Sequence, residues 1–153
     1  RRIRTFELSL PVYNLQVDRT HTYAVGATRL LVHNKPAMAD AAKARALARE
    51  VPKKWQCYGK CIQFADRLQQ DLKSAGVQGS RLEIRVTTRG MRVYSDSVGP
   101  LADANFGHSA VLVDGIVFDN MRPGGIPYAE FIQDLGGTSF FEAGHAQVTS
   151  TPF

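Results

Sequence analysis

Two cysteines among 153 residues, Cys57 and Cys61, leave no basis for a disulfide scaffold or a zinc site. No apolar run is long enough to cross a bilayer. No stripe of basic residues interleaved with aromatics appears, and no clustered acid or histidine motif. These absences argue against a nucleic-acid partner and against a nuclease. Internal repeats and low-complexity tracts are lacking too. The chain opens on Arg1-Arg2-Ile3-Arg4, with neither an initiator methionine nor a secretory leader, so it is expected to be a piece of a longer protein.

What is present fits one ordinary domain, or a small domain with an appendage. Hydrophobic content of 44% and charged content of 22% are those of a soluble globular protein. The net charge of +5 is uneven: residues 1–34 hold five Arg and two acids, whereas residues 35–153 hold fourteen Lys/Arg against twelve acids. The larger part is therefore only mildly basic.

Residues 1–33 read as strands. Phe6, Leu8 and Leu10 alternate with polar residues, as does Val12 to Val17. His21 to Val25 and Leu30-Leu31-Val32 follow a turn at Asp18-Arg19-Thr20. His33-Asn34-Lys35-Pro36 marks a boundary. Ala37 to Glu50, rich in alanine, is helical, either as a connector or packed by its alanines. The next helix is strongly patterned. Cys61, Phe64, Ala65, Leu68, Leu72 and Ala75 form one stripe, and Gly76 stops it. Leu82, Ile84 and Val86 make a half-buried strand, Met91 to Tyr94 a further short one, and Pro127 opens a short helix faced by Tyr128, Phe131, Ile132 and Leu135. The tail from Thr138 supplies a last strand.

The chemistry-bearing residues lie between Trp55 and Asn120. Cys61 opens the patterned helix, where free backbone N–H groups favour a thiolate or an oxyanion. Asp114-Gly115 between alternating apolar runs signals a two-residue type I′ turn. That turn pairs Val113 with Ile116, Leu112 with Val117 and Val111 with Phe118. His108 and Asp119 then share a sheet face as diagonal neighbours, while Asn120 falls on the other face with Ser109. The pairing selects Asp119 as the group that orients His108. Thiol, imidazole and carboxylate supply a nucleophile, a base and an orienting group. Cys57 is the alternative nucleophile, and Gln56 a candidate oxyanion donor. A Cys57–Cys61 disulfide is disfavoured in a reducing cytosol. His145 is expected to be structural or exposed.

Two resemblances follow from these residues. Val12-Tyr13-Asn14-Leu15-Gln16-Val17, His21-Thr22-Tyr23 and Leu31-Val32-His33-Asn34 resemble the C-terminal end of a Hint (intein-like) autoprocessing module. In such modules an asparagine at the position of Asn34 cyclises and cuts the chain after itself, and His21 and His33 match the assisting histidines. Only the last part is here, so this stretch is not expected to process the chain unaided. Cys61 with Ala65, Gly107-His108, Gly115 to Asn120 and Pro123 to Pro127 resemble the papain-fold toxin domains found at the tips of polymorphic toxins. Unlike papain itself, no tryptophan follows Cys61, which leaves the oxyanion donor open.

The resemblance implies an α+β papain-like fold, a nucleophile helix packed on an antiparallel sheet, preceded by a short all-β Hint remnant. The implied division is 1–34 Hint end, 35–54 helical linker and 55–153 toxin domain. It implies a Cys61–His108–Asp119 triad, acting without metal or other cofactor. The expected function is that of an antibacterial effector tip exported within a larger toxin. It would act as a cysteine protease on a protein in the target bacterium's cytoplasm, with a cognate immunity protein as partner. No nucleic-acid partner and no membrane span are expected. Glutamine deamidation by the same triad, or inhibition by a non-catalytic binding module, are the alternatives.

Overall fold

The computed structural model describes residues 22–25, 30–33, 39–101 and 107–153. The chain divides into two compact units, Arg1–Pro36 and Ala37–Phe153. In the first, strands β1 (Thr22–Val25) and β2 (Leu30–His33) pair antiparallel, with Thr22 opposite His33 and Val25 opposite Leu30. The strands expected around Phe6–Leu10 and Val12–Val17 lie outside the described residues.

The second unit begins with helices α1 (Ala39–Glu50) and α2 (Cys61–Ser74), joined through a 3-10 turn at Lys53–Trp55. Then come β3 (Ser80–Val86), β4 (Tyr94–Ser95), β5 (Gly99–Pro100), β6 (Gly107–Val113), β7 (Ile116–Phe118) and β8 (Ile126–Pro127). Helices α3 (Tyr128–Asp134) and α4 (Gly137–Glu142) and strand β9 (Ala146–Pro152) complete it. Five strands form one sheet in the order β8-β7-β6-β3-β9, every neighbouring pair antiparallel.

The sheet has helices on both faces because its strands alternate. Val111, Val113, Ile116 and Phe118 point to one side, where they meet Phe64, Ala65, Leu68 and Leu72 of α2. Leu82, Ile84, Ala110 and Val117 point to the other, against Phe131 and Leu135 and the loop residues Val93 and Leu101. The expected stripe of α2 is the buried one, including Cys61 at its first residue. Helix α1 is packed by its alanines: Ala41, Ala44 and Ala48 are fully buried, and their small side chains let it lie close to α2 and the sheet.

The hairpin turn has a second task. Asp114 (φ 48°) and Gly115 (φ 77°) form the two-residue turn with the expected register, Val113 opposite Ile116 and Val111 opposite Phe118. Asp114 Oδ2 also accepts the N–H groups of Asp40, at 3.1 Å, and Ala41, at 3.2 Å, so the turn caps the N-terminus of α1 from another element. Asp114→Ala loses this cap and puts a residue less tolerant of positive φ at the turn. We expect it to lower stability by about 1–3 kcal/mol, read as a lower urea midpoint at unchanged slope.

Two expectations shift. The short strand sits at Tyr94–Ser95, paired with Gly99–Pro100, a little beyond Met91 to Tyr94. The tail forms α4 first, and only then β9, which pairs along the whole of β3 from Ser80 opposite Pro152 to Val86 opposite Ala146. Gly136 (φ 109°) and Gly137 (φ 76°) make the break between α3 and α4 in a conformation side chains rarely adopt. Strand β9 is mostly exposed, so it lacks the alternating apolar signature that reveals half-buried strands.

Candidate active site

Three elements converge where α2 begins. Helix α2 carries Cys61 at its first residue, β6 carries His108 at its second, and Asp119 follows β7 directly. Their exposures are 0%, 1% and 1%. His108 Nε2 lies 3.2 Å from Asp119 Oδ2. The Cys61 side chain approaches the same ring closely enough to raise its pKa. The sequence expectation that Asp119 rather than Asn120 faces His108 agrees with this geometry.

Asp119 is itself held rigidly. Its Oδ1 accepts the backbone N–H groups of Met121, at 2.9 Å, and Arg122, at 2.7 Å, leaving Oδ2 to the imidazole. The other ring nitrogen, Nδ1, lies 3.2 Å from the Leu101 carbonyl oxygen. A carboxylate and a carbonyl only accept, so the doubly protonated ring satisfies both partners and neither neutral tautomer does. The protonation balance agrees. Burial lowers the His108 pKa, but hydrogen bonds to Asp119 and Cys61, and the charges of both, raise it to about 9. Burial pushes the Asp119 carboxyl up, yet the hydrogen bond and charge of His108, with the charge of Arg122, hold it below the usual carboxylate range.

These shifts predict a pH profile of stability. His108 has a folded pKa raised above 6.5, so its stabilisation is complete below 6.5 and is lost as pH rises through about 9. Asp119 has a lowered folded pKa, so its stabilisation is present above the ordinary carboxylate value and is lost in acid. Thermal melting should therefore fall between pH 6.5 and 9. His108→Gln should flatten that alkaline decline, and an equal decline in the variant would contradict the assignment.

The remaining candidates part company. Gln56 is corrected: its Nε2 donates to the carbonyls of Val51, at 2.5 Å, and Arg49, at 3.3 Å, and its Oε1 accepts from Lys53 Nζ at 2.9 Å. Its amide protons tie down the end of α1, so they are not free to face an oxyanion. Cys57 is exposed, its thiol donating to the Lys54 carbonyl at 3.4 Å, and both cysteines are free. His145 is exposed, set against Phe140 with ring centroids 5.4 Å apart and bonded through Nδ1 to Thr88. His21 and Asn34 lie outside the described residues, and His33 is described only as the end of β2. Among the described residues no cluster of three His, Cys, Asp or Glu could hold a metal ion. None of the described helices is long and apolar enough to cross a membrane.

Several contributors had escaped the sequence reading. Asn120 is buried and donates from Nδ2 to the Cys57 carbonyl at 2.6 Å, which anchors the loop that leads into Cys61. Its place beside Asp119 was the only signal, and the face it occupies was legible while the partner was not. Leu101, Arg122 and Asp134 also surround the histidine and its acid, and no local spacing marked them.

Residues 45–136, well over half of the chain, match the family model described as papain fold toxin 2. Comparison with curated proteins and with solved structures returned no match.

Proposed function

The chain belongs to the papain fold toxin 2 family, and on that premise we propose that it is the toxic tip of a bacterial polymorphic toxin, a cysteine protease acting on a protein of the target bacterium. The observation that supports this reading is the buried group at the start of α2: a thiol beside an imidazole whose Nε2 lies 3.2 Å from a carboxylate.

In this mechanism the Cys61 thiolate forms a bond to the carbonyl carbon of the scissile amide. The carbonyl oxygen takes the electron pair and becomes an oxyanion. No side chain caps the N-terminus of α2, so the first N–H groups of that helix, that of Cys61 foremost, are the donors for it. As the tetrahedral species collapses, the C–N bond breaks and His108 gives its proton to the leaving amine. Asp119 keeps Nε2–H oriented throughout. A water then attacks the thioester while His108 accepts its proton, releasing the acid and restoring the thiolate beside the protonated ring. Cys61 and His108 are both fully buried, so substrate entry requires local opening around them.

Residues 1–34 are, in the same proposal, the end of a Hint module that frees the tip by cleavage after Asn34. Residues 35–54 lead from it into the toxin domain. An immunity protein in the producer would neutralise the tip.

Intact-mass comparison tests the reaction. Wild type and Cys61→Ala are each incubated with lysate of a susceptible bacterium. New fragments with wild type alone support proteolysis. A slight mass gain without fragments would instead assign the triad to glutamine deamidation. Toxicity that persists in Cys61→Ala would overturn the enzymatic reading in favour of a binding module.

A further inference from the structure

Behind His108 and Asp119 lies a second, part-buried pair of charges that the reaction does not consume. Arg122 is 10% exposed at its side chain, and its Nη1 is 3.5 Å from Asp119 Oδ2. Nη2 of the same guanidinium is 2.5 Å from Asp134 Oδ2, at the end of α3, and 2.5 Å from Ser95 Oγ. Asp134 also accepts from the Ser95 hydroxyl and, at 2.8 Å, from the Ser97 N–H. Arg122 lies over the Phe131 ring, 5.6 Å from its centroid, and the His108 ring lies 6.3 Å from the same centroid. Nη1 makes no hydrogen bond, so Arg122 acts on Asp119 Oδ2 through charge at short range.

Asp119 Oδ2 therefore faces two cations, the imidazolium and the guanidinium. A carboxylate shared in this way holds each cation less tightly than it would hold one alone, and burial amplifies the effect. Asp134 works in the opposite sense, because it draws the guanidinium to itself. We propose that the Arg122–Asp134 pair sets how tightly Asp119 holds the protonated ring of His108, with Arg122 loosening that hold and Asp134 restoring part of it. The functional meaning rests on the reading of His108 as general acid and base, since a proton held too tightly is released slowly to a leaving group. Neither residue is catalytic; both act through Asp119. The titratable and charged groups around the ring are Cys61 from α2, Asp119 and Arg122 after β7, and Asp134 from α3. The loop from β4 to Leu101 adds Ser95 and the Leu101 carbonyl.

The test is a nuclear magnetic resonance titration of the His108 ring in the full chain, its signal assigned by its loss in His108→Gln. Arg122→Met should move the His108 midpoint upward by about half a pH unit or more, and Asp134→Asn should move it downward. A purely structural role for the pair predicts one direction for both variants, because either would loosen the same site. Equal or absent shifts overturn the proposal. Should Arg122→Met fail to fold, Arg122→Gln takes its place, and an upward move there against the downward move in Asp134→Asn is still required; the same direction in both overturns the proposal. The readout needs no substrate. Opposite shifts beside undiminished toxicity of Cys61→Ala would sink the enzymatic reading and leave this inference standing; unmoved midpoints beside abolished toxicity would do the reverse.

Discussion

Cys61→Ala should lose about 10⁴–10⁶-fold of the hydrolytic rate while folding normally. The expected size follows from the proposed mechanism: both proton transfers by His108 serve bonds made and broken at the sulfur, so removing the sulfur leaves His108 and Asp119 nothing to act on. Folding should survive because the change is small. Cys61 sits at the first residue of α2, where the removed sulfur supports no backbone hydrogen bond, although it is fully buried and some packing is lost. Bacterial growth on expression, paired with a thermal melt, reads the result. A variant that folds and still kills would end the covalent mechanism, whereas Cys57→Ser should leave killing intact because Cys57 is exposed and bonded to Lys54.

Asp119→Asn is the second large effect, on the order of 10⁴-fold in kcat. The argument is one of donors and acceptors. The Oδ1 position accepts two backbone N–H groups, from Met121 and Arg122, so asparagine must place its carbonyl oxygen there. Its amide nitrogen then points at His108 Nε2, where the carboxylate oxygen stood at 3.2 Å. Two donors cannot face each other, so Nε2 becomes an acceptor and the ring proton moves to Nδ1. Nδ1 faces the Leu101 carbonyl, so it keeps that proton as a donor there, and neither ring nitrogen is left to take the thiol's proton. The loss should appear in kcat rather than KM, since Asp119 is buried behind the histidine. A variant with unchanged kcat and unchanged alkaline behaviour of the ring would contradict the assignment of Asp119.

Helix α2 and the β6–β7 hairpin could be read with register because each has a period the chain itself displays. The stripe from Cys61 to Leu72 repeats at helical spacing, and burial follows it residue for residue. Asp114-Gly115 dictates a turn, the turn dictates the pairing of Val111 with Phe118, and the pairing brings Asp119 to the face of His108. Once those local rules are met, the spacing of the acid from the ring is almost a geometric consequence. By contrast, β9 and α4 carry weak periodicity, and their places depend on what β3 and the sheet offer them.

Gln56 shows how a plausible role fails for want of a third dimension. A side-chain amide upstream of a nucleophile is a reasonable oxyanion donor, yet the path of the 3-10 turn brings it to the carbonyls of Arg49 and Val51 first. Arg122 and Asp134 show the converse. As isolated letters they read as ordinary surface charges, because nothing in their spacing distinguishes a solvated ion from a buried one. Their burial comes from the packing of α3 against the loop after β7 and the turn that holds Ser95.

The order of residues by itself determined the helix that carries the thiol, the hairpin that carries the base and its acid, and the faces on which they lie, because backbone periodicity and turn stereochemistry act over a few neighbours. Only the tertiary structure decided which atoms surround those groups: the Leu101 carbonyl at Nδ1, the Asn120 amide on the Cys57 carbonyl, and the guanidinium that shares Asp119. Such contacts join segments far apart in the chain, and their strength depends on distance and on the exclusion of water, quantities that exist only after the elements have packed.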